Sequence, residues 1–326
     1  MYKQPSRNGS SAQIINKMKD LSNVTSIEVD AGSEGQRVDN FLMRVCKGVP
    51  RSHIYRVLRT GEVRVNSRRV QATYRLNLGD RVRIPPLRRA DPAQKPAPPT
   101  SSLPRVVHED EALLVIDKPS GLAVHGGSGV SFGVIEQFRA ARPQLKFLEL
   151  AHRLDRDTSG LLILAKKRSA LTALHAALRE GQVRKEYLAL VKGSWRNEKQ
   201  RVDLPLKKFL TQSGERRVSV DREGRESQTV FRKKRELRDF TLLSAELLTG
   251  RTHQIRVHLT HLGFPIAGDD KYGDFELNRA LAKQGLKRMF LHAGDLEFAH
   301  PLSGETVKLH VPLPEDLSRF LASLAG

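Results

Sequence analysis

The ten residues from Ala151 to Gly160, AHRLDRDTSG, concentrate side chains that could carry out chemistry. They include two carboxylates, two guanidinium groups and one imidazole, and they directly precede the apolar run from Leu161 to Ala165. Charges beside a buried strand are costly unless they are paired or used in catalysis. A carboxylate beside an arginine stays ionised, which suits a nucleophile or base better than an acid. The pattern alone leaves two interpretations open, a structural ion cluster and a catalytic site.

Three histidines near position 255 form a second candidate group, for a metal site: His253, His258 and His261. No glutamate stands between the last two as in an HExxH site, and the chain has one cysteine, Cys46. We therefore interpret these histidines as buried or RNA-facing side chains and predict no metal. Cys46 falls beside the apolar face of a predicted helix and is interpreted as a core residue.

The charge of the chain indicates a polyanionic partner. Lys and Arg number 56 against 36 Asp and Glu, which gives a formal net charge of +20. Between Gln36 and Arg89 there are 14 basic residues and three acidic ones. Such a field attracts phosphates. We favour nucleic acid over an anionic membrane, because a membrane helix would concentrate its charge opposite apolar and aromatic residues.

The same composition predicts a cytoplasmic protein that does not enter a membrane. No apolar run approaches the about 20 residues that span a bilayer. The polar first residues, MYKQPSRNGSS, contain no signal-peptide core. A single cysteine excludes an internal disulfide and fits a reducing compartment. Because no oligomerisation feature is evident, we expect a monomer.

Composition divides the chain into four parts. Residues 1–25 are polar and predict a disordered tail. Residues 26–86 form a small basic module, and residues 87–105 form a linker. The stretch 85–105 holds seven of the 16 prolines, which favour an extended, semi-rigid chain. Residues 106–326 form a larger domain.

Two helices and two strands are predicted in the small module. The first helix is indicated by apolar residues at helical spacing, namely Val38, Phe41, Leu42 and Val45. Ser52 is predicted to cap a second short helix, which Gly61 ends. The strands span residues 62–66 and 80–84. Arg51, Arg56 and Arg59 lie on or beside the second helix, so that one face of it can follow a phosphate backbone.

The larger domain is predicted to be α+β, with a mixed, largely antiparallel sheet, because strands follow one another without regular helical crossovers. The predicted strands span residues 112–118, 161–166, 187–192, 228–233 and 240–247. A hairpin is predicted from residues 289–298 and 305–311. The predicted helices span residues 132–141, 169–179 and 252–262.

Several blocks of sequence, in this order, resemble the RluA type of pseudouridine synthase. The block 152–160, HRLDRDTSG, is similar to the HRLDxxTSG signature of that family. The others are KPSGL at 118–122, KEYLA at 185–189, TGRTHQIRVH at 249–258, GD at 268–269 with YG at 272–273, and LHA at 291–293. One departure is Phe264, where the family usually has histidine, and this bears on packing or RNA contact. Residues 36–85 resemble the alpha-L RNA-binding module.

The resemblance implies isomerisation of uridine to pseudouridine in RNA, without cofactor or metal. It implies that Asp155 is the essential carboxylate, which either attacks the ribose C1′ or removes a ribose proton. Arg256 is then expected to pair with Asp155, and Tyr187 to stack on the uracil. Arg153 is expected to contact RNA and Leu291 to wall the base pocket. The module is expected to bind RNA through Arg51, Arg56, Arg59, Arg64, Arg68 and Arg69.

The target is expected to be large-subunit (23S) ribosomal RNA, free or in an assembling subunit, because the chain is most similar to that branch of the family. Two alternatives stay open. One is the same chemistry on tRNA. The other is a non-catalytic RNA-binding or ribosome-assembly factor that kept the fold, although such a binder would have no use for a carboxylate in a phosphate-binding cleft.

Overall fold

The computed structural model describes residues 23–46, 48–87, 103–126, 132–212 and 214–324. The chain divides into two compact units, residues 1–96 and 97–326. Most of the predicted tail and linker, residues 1–22 and 88–102, lies outside the described residues.

The small unit packs two helices against a four-stranded antiparallel sheet. Its core holds the apolar face that the spacing predicted, including Phe41 and Leu42, and Cys46 is buried in it as expected. The elements are β1 (Thr25–Glu28), α1 (Val38–Val45), α2 (Arg51–Arg59), β2 (Arg64–Val65), β3 (Arg68–Arg69) and β4 (Arg81–Ile84). The sheet order is β1-β4-β2-β3.

The predicted cap of the second helix is wrong. Helix α2 begins at Arg51 after Pro50, so that Ser52 lies within the first turn and caps nothing. The proline ring fixes φ at −57° at the N-cap, with an extended ψ of 140°. At the other end, Gly61 adopts φ +76° two residues after the last helical residue. Such a left-handed glycine ends the helix as predicted.

The larger unit contains a mixed sheet of ten strands within the described residues. The strands are β5 (Arg105–Glu109), β6 (Leu113–Lys118), β7 (Glu149–Leu150), β8 (Ser159–Ala165), β9 (Arg184–Lys192), β10 (Lys199–Asp203), β13 (Gln228–Leu237), β14 (Phe240–Leu247), β15 (Leu291–Ala299) and β16 (Thr306–His310). Eight of them run in the order β10-β13-β14-β9-β15-β8-β6-β5, while β16 pairs with β15 and β7 with β8. A separate antiparallel pair is formed by β11 (Leu206–Leu210) and β12 (Arg216–Val220).

Five helices accompany these strands in the described residues. They are α3 (Val134–Ala141), α4 (Arg168–Arg179), α5 (Gln254–His261), α6 (Phe275–Lys283) and α7 (Glu315–Ser323). The predicted α+β class and the hairpin β15–β16 are confirmed. The sequence did not predict α6, α7, β5, β7 or β10 to β12. Among the helices of the described ranges, none has both the length and the apolarity to cross a bilayer.

The centre of the sheet joins three strands that lead to the site. Strand β15 pairs with β9 in antiparallel fashion and with β8 in parallel fashion, the one parallel pairing among the described strands. Gly160 on β8 adopts φ +114°, and a Cβ there would lie 2.2 Å from the carbonyl oxygen of Ala293. Only glycine allows this close approach. The HRLDxxTSG block therefore ends in a glycine that fixes β8 against β15.

One side of the sheet carries a core around the single tryptophan, Trp195. Phe264 packs against the indole with ring centroids 4.9 Å apart, in an edge arrangement. The residue that departs from the family pattern therefore serves local packing, one of the two roles expected of it.

Candidate active site

A cavity of about 570 Å³ opens in the larger unit, within the range of ligand pockets. Its walls come from the loop before β8, the central strands β9 and β15, helix α4 and the segment that leads into α5. Because β9, β15 and β8 are adjacent in the sheet, residues far apart in sequence meet here. Five of the predicted site residues line this cavity, namely Arg153, Asp155, Tyr187, Arg256 and Leu291.

The loop that carries Asp155 is fixed by hydrogen bonds from the KPSG turn. Lys118, which is fully buried, donates from Nζ to the carbonyl oxygens of Pro119, Leu122 and Arg156 at 2.9, 2.9 and 3.0 Å. The Gly121 N–H also donates to the Arg156 carbonyl oxygen, at 2.9 Å. Burial lowers the pKa of Lys118 to about 7. Three carbonyl acceptors suit the three donors of an ammonium group. The Lys118 side chain thereby connects the KPSG turn to the loop that carries Asp155.

Within the loop, the backbone N–H of Thr158 donates to the carbonyl oxygen of Asp155 at 3.2 Å. Ser159 is buried, and its hydroxyl bonds to His292 Nδ1 at 2.9 Å and accepts from Arg288 at 2.6 Å. These contacts hold the backbone that follows Asp155.

Arg256 lies between two carboxylates. Its Nε and Nη2 donate to the two oxygens of Asp269, each at 2.7 Å, and its Nη1 donates to Asp155 Oδ2 at 3.3 Å. The guanidinium is almost fully buried and Asp269 is fully buried. Burial alone would lower the pKa of Arg256, but its hydrogen bonds and charge interactions with Asp269, and then with Asp155, raise it. The forked pairing fixes the guanidinium plane and leaves the Nη1 amino group for Asp155.

Asp269 is fixed by the turn that contains it. Gly268 precedes it with φ +76°, where a Cβ would lie 2.2 Å from the Arg288 carbonyl oxygen. The backbone N–H groups of Lys271 and Tyr272 donate to Asp269 Oδ1 at 2.9 and 3.0 Å. Burial raises the pKa of Asp269, but Arg256 and these two N–H groups outweigh it, and the net shift is downward. A carboxylate with four donors is a rigid anchor for Arg256.

His253 faces Asp155 from the other side. Its Nε2 lies 3.8 Å from Asp155 Oδ1, and its Nδ1 is 2.8 Å from the hydroxyl of Tyr272. The residue precedes α5 in the left-handed conformation, with φ 57°. The predicted helix start at residue 252 is therefore wrong, because the left-handed backbone of His253 lies outside the helix. His258 instead bonds to Thr229 and to the Leu204 carbonyl through its two ring nitrogens, which is a structural role.

Tyr187 and Leu291 form the apolar wall. Both are buried, on the neighbouring strands β9 and β15, and both line the cavity. Burial, and then the charge of Asp155, raise the pKa of the Tyr187 hydroxyl, so that it stays protonated at neutral pH. An aromatic face beside an aliphatic one suits a flat base.

The mouth of the cavity is basic. Arg153 is exposed there, and Lys185 and Arg251 contribute to the lining. Burial lowers the pKa of Lys185. Within the described residues, no group of three or more His, Cys, Asp or Glu side chains is placed to hold a metal ion. The lining fits an anion with a planar base.

The six arginines predicted to bind RNA lie in the small unit, and all are exposed: Arg51, Arg56, Arg59, Arg64, Arg68 and Arg69. None of them forms an ion pair with a described carboxylate, although Arg37 of the same unit pairs with Asp39 at 2.6 Å. Their charge is therefore available to a phosphate backbone.

Sequence reasoning missed Asp269, Tyr272 and His253 as site residues. Their blocks were noticed, but the spacing of GD and YG gives no sign that these residues contact Arg256 and His253. A signal was available in the two adjacent acids after Gly268, because charged residues beside a glycine turn and an apolar segment require partners.

The comparisons with known proteins agree with this geometry. The model of the family described as RNA pseudouridylate synthase matches residues 112–261, and the S4 domain model matches residues 36–82. Ribosomal large subunit pseudouridine synthase C of Escherichia coli (strain K12) is 52% identical over 308 residues, 92% of this chain and 97% of that protein. The protein of that name from Pasteurella multocida (strain Pm70) is 49% identical over 92% of this chain and 94% of its own length.

Among solved structures, human RNA pseudouridylate synthase domain containing 4 is 25% identical, with a TM-score of 0.56 over 67% of this chain and 92% of its own. Human RNA pseudouridylate synthase domain containing 1 is also 25% identical, with a TM-score of 0.56 over 68% of this chain and 89% of its own. Sequence and fold agree, and the chain belongs to the RNA pseudouridylate synthase family, with an S4 domain before its synthase domain.

Proposed function

We propose that this enzyme converts uridines of large-subunit ribosomal RNA to pseudouridine, with Asp155 as the reacting carboxylate. The observation that carries the proposal is the placement of Asp155 between Arg256 Nη1 and the basic mouth of the cavity. Relatives about half identical over almost their whole length are named as pseudouridine synthases of the ribosomal large subunit, which supports its RNA as the substrate.

The reaction needs no other reactant. The C1′–N1 bond of uridine breaks, the uracil turns, a C1′–C5 bond forms and the C5 proton is lost while N1 gains one. Uridine and pseudouridine contain the same atoms at the same oxidation level, so we propose no cofactor and no metal. Asp155 either attacks C1′ or takes a ribose proton and returns it.

The surrounding residues have separate roles in this proposal. Arg256 pairs with Asp155, and Tyr187 stacks on the uracil with its hydroxyl near C5. Leu291 completes the wall, and Arg153 contacts RNA at the mouth. Water is kept from the intermediate by the buried Tyr187 and Leu291.

A uridine stacked in RNA does not reach this cavity, so the nucleotide must be flipped out at a cost of a few kcal/mol. Phosphate contacts of the S4 arginines and the basic mouth offset this cost without reading sequence. We propose that the protein acts as a monomer in the cytoplasm, on ribosomal RNA free or within an assembling subunit.

The test is chemical mapping of pseudouridine in ribosomal RNA and tRNA from cells that lack the protein, complemented with wild type or Asp155→Asn. We expect specific large-subunit sites to disappear and to return only with wild type. Loss of tRNA sites instead would favour the tRNA alternative. Restoration of the sites by Asp155→Asn would refute the role of Asp155, and unchanged maps of all these RNAs would favour the non-catalytic factor.

A further inference from the structure

The two oxygens of Asp155 face two different donors, and the function proposed above uses only one. Oδ2 faces Arg256 Nη1 at 3.3 Å, while Oδ1 faces His253 Nε2 at 3.8 Å. The imidazole lines the cavity and is largely buried. His253 therefore faces the oxygen of Asp155 that Arg256 does not contact.

The hydrogen bonds around Tyr272 favour one of the two tautomers of the neutral His253 ring. The backbone N–H of Val218 donates to the Tyr272 oxygen at 3.0 Å. The Tyr272 hydroxyl then has one proton to give, and His253 Nδ1 lies 2.8 Å away. When Nδ1 accepts, the proton of the neutral ring is on Nε2, the nitrogen that faces Asp155.

Two further observations support this arrangement. His253 adopts φ 57°, a conformation that a residue other than glycine keeps only when its surroundings hold it there, and such residues cluster at active sites. Burial lowers the pKa of His253 against the opposing charge of Asp155, and Arg256 and Lys271 lower it further. Asp269 also faces the ring and opposes this shift. The imidazole is accordingly neutral at neutral pH.

Tyr272 contacts both flanking donors. The centre of its ring lies 5.1 Å from the Arg256 guanidinium carbon, and its hydroxyl bonds to His253. Its backbone N–H helps to fix Asp269, which holds Arg256. The GD and YG motifs, which the sequence left without a function, are thus parts of one turn that supports both sides of Asp155.

We propose that His253, held as the Nε2–H tautomer by Tyr272, is a positioning residue that sets the rotation of the Asp155 carboxylate. This inference rests on the proposed role of Asp155. The separation of 3.8 Å shortens to a hydrogen bond when RNA fills the cavity, as catalytic hydrogen bonds often do. With Arg256 on Oδ2 and His253 on Oδ1, the carboxylate plane is fixed toward the ribose.

The tautomer is tested without RNA, by the ring ¹⁵N chemical shifts of the full-length protein labelled at histidine. The signals of His253 are those lost in His253→Gln. We expect a protonated Nε2 and a bare Nδ1 in wild type at pH 7.5, and a mixture of tautomers in Tyr272→Phe. A protonated Nδ1 in wild type, or a doubly protonated ring, overturns the proposal.

The positioning role is tested by single-turnover rates on large-subunit ribosomal RNA with matched variants. Gln places an N–H near the position of Nε2 and Met does not, while both meet the same backbone strain. We expect about a 100-fold lower rate in His253→Met, at most about a 10-fold lower rate in His253→Gln, and RNA affinity within about twofold of wild type for both. Equal losses in the two variants overturn the proposal.

A double-mutant cycle separates positioning from a packing role of Tyr272. Tyr272→Phe keeps the ring and is expected to cost about 10-fold alone and nothing further in the His253→Met background. Additive losses overturn the proposal. Wild type that is inactive on the RNA contradicts the proposed function instead, while the nitrogen shifts still decide the tautomer. The fluorescence of Trp195 shows whether each variant is folded.

Discussion

Arginine does different work in the two units of this enzyme. In the synthase unit Arg256 is 4% exposed and lies 2.7 Å from Asp269, 3.3 Å from Asp155 and 3.9 Å from Asp270. In the S4 unit, six exposed arginines form no ion pair with a described carboxylate. One guanidinium is fixed by several carboxylates, and six remain available to solvent and ligand.

The difference shows that an arginine can act in two ways. When buried, it holds other groups at fixed distances, and when exposed, it adds to the positive electrostatic potential of the surface. A buried forked pair acts through its shape, so its loss is felt at the reacting atoms. Exposed charges act through their sum, which is screened by salt and changes little when one is removed. The same substitution should therefore have unequal effects in the two units.

The largest expected effect is that of Arg256→Lys. A lysine keeps the charge but cannot fork onto Asp269 while it donates to Asp155, so the single-turnover rate should fall by about 10²–10³-fold. The matched control is Arg51→Lys in the S4 unit, which should remain within about twofold because a phosphate accepts either cation. Comparable losses of single-turnover rate in the two variants would contradict the view that Arg256 acts through its fixed position and Arg51 through its charge alone.

Asp269→Asn should cost stability, since it removes the charge that compensates a buried guanidinium. We expect the free energy of unfolding to fall by about 3 kcal/mol, the low end for a broken buried pair, because the amide oxygen still accepts one hydrogen bond. Urea unfolding followed by Trp195 fluorescence reports on the synthase unit, which holds the single tryptophan of the chain. A loss below about 1 kcal/mol would show that the pair is not needed for folding.

The pH dependence of that loss has a defined sign. The pKa of Asp269 lies below its usual 3.8 in the folded protein, so its contribution is present above pH 3.8 and is lost as the pH falls through the lowered value. The stability difference between wild type and Asp269→Asn should therefore shrink on acidification below about pH 4. Denaturation curves at pH 7 and pH 3 measure it.

Lys118→Met should have the next largest effect. The change leaves three carbonyl oxygens without their ammonium donor, and we expect about 2 kcal/mol lower stability at pH 7 and a looser Asp155 loop. Folding lowers the pKa of Lys118 from 10.5 to about 7. The unfolded chain binds more protons between these values, so wild-type stability gains from this residue as pH rises through that window. The Lys118→Met variant should lack this gain. Identical slopes of unfolding free energy against pH in wild type and variant would contradict the lowered pKa of Lys118.

The site was predictable where its signal was local. Asp155 stood out because acids, arginines and a histidine directly precede an apolar run, and the central strands were found from their apolar runs. Helix α1 followed from apolar residues at helical spacing. In each of these cases, neighbouring residues decide the outcome.

The rest depended on contacts that spacing does not encode. Asp269 lies 13 residues after Arg256, and only the fold brings their side chains together. The predicted helix started at residue 252, whereas the helix begins at Gln254 because His253 has φ 57°. Ser52 had the chemistry of a cap, but Pro50, two residues earlier, is the N-cap and sets the helix start. Tertiary contacts and backbone conformation decided these positions.

The smallest expected effect comes from the S4 arginines taken singly. Each of Arg51→Gln, Arg56→Gln and Arg59→Gln should weaken binding to large-subunit ribosomal RNA by about two- to fivefold, without changing the single-turnover rate at saturating enzyme. Each should also lower the slope of log affinity against log salt by about one. The three losses should add, because the side chains do not depend on a shared carboxylate.

The matched control is Arg279→Gln, which removes one exposed charge from helix α6 of the synthase unit, where the arginine lies 3.8 Å from Glu276. It lowers the net charge equally but should leave the salt slope unchanged. If this control lowers the slope as much as Arg51→Gln, overall charge rather than the S4 surface governs binding. If a single S4 substitution lowers the single-turnover rate at saturation, these arginines also help to position the RNA for reaction. They would then differ from Arg256 only in the size of their effect on the rate.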